Sequence, residues 1–159
     1  ENINGVYGSG ITIACVDLEQ ESTALNITDK GMMSISRVVK EEINPSVSEV
    51  SDTPFMTFDE SYDNDVAVVS GLRGKLTSLL ERIDMVFRYY NSRETDNKID
   101  LILIYGNHSH TDGIEELMRS YFDIPCVKLN VLDKVKFFGD LALYANAIGA
   151  LIRANGVKR

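Results

Sequence analysis

Apolar positions along this chain recur with two different periods, and the change from one to the other marks out its elements. Residues 11–18, ITIACVDL, are almost continuously apolar and rich in β-branched side chains, which predicts a strand. The polar stretch Glu19 to Ser22 breaks that run, and residues 23–28 and 32–39 predict two more strands around Asp29-Lys30-Gly31. A short loop ending in glycine is hairpin chemistry, so the first three strands are expected to form an antiparallel meander. The period then lengthens. Leu72, Leu76, Leu79, Leu80, Ile83, Val86, Phe87 and Tyr90 follow one another at three- and four-residue steps, predicting a helix over 72–91 with one face on a sheet. Arg73, Lys75, Glu81, Arg82 and Arg88 take the remaining positions.

Ile99 and Leu101 to Ile104 form a short, nearly unbroken apolar run, as expected for a central strand covered on both faces. Gly106 ends it, and Asn107, His108, Ser109, His110 and Thr111 make a polar loop. Asp112 is expected to cap a helix whose apolar side is Ile114, Leu117, Met118, Tyr121 and Phe122. Residues 124–129 predict a final strand, with Pro125 tolerated at its start. After a loop over 130–139, Asp140 opens a last helix with Leu141, Tyr144, Ala145, Ile148, Leu151 and Ile152 as its buried positions. The order is β-β-β-α-β-α-β-α: a meander followed by crossover-linked strands, hence an α/β domain with a mixed sheet and helices on its faces. Residues 1–10, with three glycines, read as a linker or tail, and 11–159 as a single domain. Within it, 40–70 shows no sustained period, contains Pro45 and Pro54, and reads as an irregular insertion or reduced subdomain; Phe55, Met56 and Phe58 offer a short edge strand there.

Composition narrows the function classes. A length of 159 residues suits one core, and a net charge of -8 makes nucleic acid a poor partner, because phosphate binding needs concentrated Lys and Arg. No apolar segment is long enough to insert into a bilayer, and no cleavable signal pattern opens the chain. Cys15 and Cys126 share no metal-ligand spacing and read as buried, reduced thiols of a cytosolic protein.

Candidate chemistry gathers around Gly106. Strand, glycine turn, polar loop and helix N-terminus form the arrangement at which open α/β sheets hold ligands, and the helix beginning near Gly113 favours an anion there. His108, His110 and Asp112 have side chains suited to zinc, but no fourth ligand accompanies them, and solvated loop histidines are the expected reading. Asp59 to Asp65, DESYDND, lacks the glycine and closing glutamate of an EF-hand loop and reads as a solvated acidic loop. Asp17, Glu19 and Glu21 lie on one turn; they fit a hairpin end better than an acid/base pair. No Gly-x-Ser-x-Gly elbow is present.

Three stretches together resemble the second half of PilM-type type IV pilus assembly proteins, which have an actin-like (ribonuclease H-like) ATPase fold. Ile13 to Leu18 with Ser22-Thr23-Ala24-Leu25 is similar to that family's second phosphate-binding hairpin, Asp-hydrophobic-Gly-x-x-x-Thr. Leu79 to Ile83 through Phe87 to Tyr90 resembles the helix preceding its adenosine motif. Ile102 to Ser109, with Gly113-Ile114 beyond, resembles Leu-Ser-Gly-Gly-Gly-Ser-x-x-x-Gly, and Ile124 to Val127 and the helix from Tyr144 to Leu151 continue in register. The resemblance implies a vestigial nucleotide site at Asp17, Thr23, Gly106, Asn107, His108 and Ser109. The departures are specific: Glu19 stands where the family has glycine, and Asn107 and His108 replace two glycines. A side chain, above all a carboxylate, obstructs the approach of backbone amides to phosphate. The resemblance therefore implies a scaffold rather than an enzyme, with no cofactor, ATP and Mg requiring a first half as well. It also implies a cytoplasmic place at the inner face of the cell membrane, held through partners: the tail of a PilN-like membrane protein and other pilus assembly proteins. The alternative it implies is half of an active actin-like ATPase or a sugar-kinase-like phosphotransferase.

Overall fold

The computed structural model describes residues 10–40, 63–130 and 136–151, with the side chains of 63–75 and 151 excepted. The elements run β1 (Thr12–Leu18), β2 (Ser22–Asp29), β3 (Met32–Lys40), α1 (Asp63–Arg93), β4 (Leu101–Tyr105), a 3-10 turn (Asn107–His110), α2 (Ile114–Phe122), β5 (Cys126–Lys128) and α3 (Leu141–Leu151). They build a mixed α/β domain around a five-stranded sheet of order β3-β2-β1-β4-β5. β1 and β2 pair antiparallel, as do β2 and β3, whereas β4 lies parallel to both β1 and β5. The β2–β3 turn places Lys30 at φ 48° and Gly31 at φ 82°. Two consecutive left-handed residues match the strand twist in a tight hairpin, which is why glycine ends this loop.

Alternation along the strands sends side chains to two cores. On one face Val16, Leu18, Leu25, Ile27 and Ile102 pack with Leu79, Ile83 and Phe87 of α1 and with Met118 of α2. On the other, Leu103 and Leu129 meet Leu141 of α3, flanked by Ile13, Cys15, Tyr105 and Ile148. β4 contributes to both, so its first four residues are all buried and its unbroken apolar run is accounted for. Among the described residues, no helix is long and apolar enough to cross a membrane.

Several local expectations need correction. α1 begins at Asp63, inside the stretch read as irregular; residues 41–62, with Phe55, Met56 and Phe58, lie outside the described residues, as does most of the acidic run Asp59 to Asp65. So do residues 1–9 and Ile152. Asp112 does not cap α2: the N-cap is Gly113, at φ 77° and without a side-chain hydrogen bond. The loop after Gly106 coils into a 3-10 turn. Leu117 and Tyr121 of α2 and Tyr144 of α3 are exposed rather than buried. α2 buries only the narrow stripe of Ile114 and Met118, and Tyr144 turns outward, its ring 5.6 Å from that of Phe137.

Candidate functional site

The parallel strands β1 and β4 end side by side, with Asp17 opposite Tyr105 in register. Crevices outside the carboxyl ends of such strands are where α/β sheets bind ligands. Gly106, the first residue beyond β4, has φ 92°, and a Cβ there would lie 2.5 Å from Asp17 Oδ1, 2.8 Å from Leu18 O and 2.9 Å from Leu18 N. Glycine is required on both counts: a left-handed backbone and a contact that no side chain permits. This close approach is what clamps the end of β4 onto the end of β1.

Asp17 is 6% exposed. Its Oδ2 accepts a hydrogen bond of 2.7 Å from Asn146 Nδ2, tying β1 to α3. Its Oδ1 is buried and has no hydrogen-bond partner among the described residues, and the same holds for Thr23 Oγ1. The two orphans are not neighbours in one site. Thr23 pairs with Leu18, and residues opposite each other share a face, so Thr23 points to the α1 side with Leu25 and Ile27. Asp17 is one residue out of phase and lies on the α3 side with Cys15 and Tyr105. Burial, then the Asp17 carboxylate and Cys15 nearby, pushes the Tyr105 hydroxyl up to about 12, with a hydrogen bond to Asn26 opposing. Burial likewise raises the Cys15 thiol to about 11.

The loops around this point are satisfied by one another. The Glu19 amide donates to Ser22 O (3.1 Å), the Gly106 amide to Ala142 O (2.9 Å) and the Ser109 amide to Gly106 O (3.1 Å). Ser109 Oγ also donates to Gly106 O, at 2.7 Å. Asn107 Nδ2 donates to Glu19 Oε2 at 2.6 Å, bridging the β1–β2 hairpin to the turn after β4. His108 is half-buried, and His110 Nε2 lies 2.7 Å from Asp140 Oδ2. The other oxygen of Asp140 accepts the amides of Ala142 (2.9 Å) and Leu143 (3.4 Å), capping α3 as the sequence predicts. Lys128 Nζ stands 3.5 Å from His110 Nδ1. Among the described residues, no group of three or more His, Cys, Asp and Glu side chains is placed to hold a metal ion.

The structure thus gathers Asp17, Gly106, Asn107 and Ser109 at one point, leaves His108 beside them, and sends Thr23 through the sheet. The sequence reading missed Asn146. Its signal was there: Asn146 is the one amide in the otherwise apolar helix LALYANAIGAL. Three of the amides at this point, those of Glu19, Gly106 and Ser109, are engaged by acceptors within the chain, and the Glu19 carboxylate beside them is held by Asn107, an arrangement that offers a phosphate few free donors there.

The fold and crevice define a mixed α/β domain with a five-stranded sheet and helices on both faces. No protein-family model matches the sequence, and no curated protein matches it. Among solved structures, it is similar to a chain of the PilM-PilN type IV pilus biogenesis complex, with a TM-score of 0.56 and 14% identity. The match covers 76% of this chain and 36% of that one, and at this identity it is a likeness of fold.

Proposed function

We propose that this chain is an actin-like domain of a PilM-like protein, acting as a scaffold of the type IV pilus assembly platform. In this reading it works at the cytoplasmic side of the inner membrane, binds a PilN-like membrane protein and other assembly proteins, and does not turn over nucleotide. The absence of turnover in this reading is supported by the engaged amides of Glu19, Gly106 and Ser109 and by the 2.6 Å Asn107–Glu19 bridge beside them. The pilus assignment is supported by the element order and by the fold likeness to a PilM-PilN complex. Asp17, Thr23, Gly106, Asn107, His108 and Ser109 are, on this proposal, the remnants of a nucleotide site.

Co-purification with a PilN-like protein, and loss of pilus assembly on deletion, are the expected results. Unchanged assembly after deletion overturns the proposal. One observation favours a second reading, half of an active ATPase or phosphotransferase: the buried Asp17 Oδ1, without a hydrogen-bond partner among the described residues. Calorimetric titration of the protein carrying both actin-like halves with Mg-ATP separates the two. Micromolar binding with turnover would establish the second.

A further inference from the structure

β3 is an edge strand: among the described residues nothing pairs with its outer side. An edge strand presents backbone N–H and C=O groups to any extended chain laid beside it. Along this edge, between β3 and α1, runs an open groove of about 370 Å³. Its apolar lining on the α1 face includes Met85, 63% exposed, and Tyr89, 53% exposed, with Val39 and Val86 beneath them. Its charged lining is of one sign, Arg37, Lys40 and Arg82, with no carboxylate lining it among the described residues. By register Arg37, opposite Leu25, lies on the α1 face of the edge and Lys40, opposite Ser22, on the other, so cations stand on both faces of this edge in a chain whose net charge is -8.

We propose that this groove is a docking site for an extended, acidic segment of a partner protein, added to the sheet as a sixth strand beside β3. Each feature selects part of that occupant. The strand edge supplies main-chain hydrogen bonds and demands an extended conformation. Alternate side chains of an added strand point to one face, so an aromatic or aliphatic residue of the segment reaches Met85 and Tyr89. Tyr and Met are suited to this, offering large contact area and adaptable shape. Arg37 and Lys40 select flanking Asp or Glu through charge complementarity, which also speeds encounter. The same charges disfavour a second copy, since symmetric β3–β3 pairing brings like charges together. The site is independent of the pilus reading and of the strand-end crevice.

The test uses the 159-residue chain and a fluorescent nonapeptide, EEVTFTVDE, followed by anisotropy. Saturable binding is expected, weakened at least tenfold by Arg37→Glu combined with Lys40→Glu, and several-fold by Tyr89→Ala. Binding should also fall when the peptide's central threonine-phenylalanine-threonine is replaced by proline residues, which removes its backbone donors. Equal binding of a lysine-flanked peptide, absence of saturation, or indifference to the Arg37 and Lys40 changes overturns the proposal. Residues 41–62 contain acids and no Lys or Arg, so they are the competing occupant. Binding that emerges only when they are replaced by a Gly-Ser linker of equal length assigns the groove to the chain itself and overturns the partner. Circular dichroism of each variant confirms that it is folded.

Discussion

Two places on one sheet illustrate what makes a surface available for binding. The crevice beyond β1 and β4 has the topology of a ligand site, yet many of its polar groups are paired with one another: Glu19 with Asn107, Asp17 Oδ2 with Asn146, and the Gly106 amide with Ala142 O, leaving Asp17 Oδ1 as the one buried crevice oxygen without a partner among the described residues. The β3 edge lies away from that topological position, yet it keeps an unpaired backbone edge among the described residues and an apolar groove with a cationic rim. Topology says where a site tends to lie. Unsatisfied hydrogen-bonding capacity says whether one remains.

The sharpest way to break the contrast is to pry the crevice open. Gly106→Ala forces a methyl group against Asp17 Oδ1 and the Leu18 backbone at φ 92°, and is expected to destabilise the protein by about 3 kcal/mol or more in denaturant titration. Gly113→Ala is the control. It has φ 77° but open space around it, so only the backbone strain of about 1 kcal/mol is expected. If the two cost the same, the close approach of Gly106 to Asp17 and Leu18 is not what joins the ends of β4 and β1.

Next in size is the buried link to α3. Asn146→Ala leaves both Asp17 oxygens without a partner and is expected to cost about 2 kcal/mol, read from the same denaturant midpoints. In a double-mutant cycle, Asp17→Ala should remove much of that penalty, because the orphaned carboxylate is then gone.

Alkaline pH tests the same face. Tyr105 and Cys15 have folded pKa values of about 12 and about 11, both above their ordinary values of 10.0 and 9.0. A group whose folded pKa is raised gives its stabilisation in full below the unfolded value and loses it as pH climbs through the folded one. The thermal midpoint should therefore decline from about pH 9 to pH 12, and Tyr105→Phe should flatten the upper part of that decline. Cys126, raised to about 12 chiefly by burial, should resist thiol reagents in the folded protein and react once it is unfolded.

The smallest effect is expected at His110. Its contact with Asp140 is more than one-third exposed on both sides, so His110→Ala should change stability by at most about 0.5 kcal/mol and the change should shrink with salt.

Much of this domain was legible in the linear pattern because burial repeats along it. The apolar, β-branched run of β1, the hairpin loop after β2, the helical spacing from Leu76 to Tyr90, the unbroken run of β4 and the Asp140 cap all reflect local rules of period, turn chemistry and capping. Local rules also misled where geometry offered two solutions. Asp112 and Gly113 are both acceptable helix starts, and the left-handed turn at Gly113 prevailed. Leu117, Tyr121 and Tyr144 have the spacing of core residues, but each helix meets the sheet along a stripe too narrow to cover them.

The chain's own pattern determined the elements and their order, since these follow from local period and from which side chains avoid water. Only the tertiary structure decided which residues meet. Register sent Thr23 and Asp17 to opposite faces, the crossing of α3 brought Asn146 to Asp17 from 129 residues away, and the laying of α1 along β3 put Arg37 and Tyr89 on one groove. Contacts between residues so far apart depend on the relative placement of whole elements, and no local period encodes that placement.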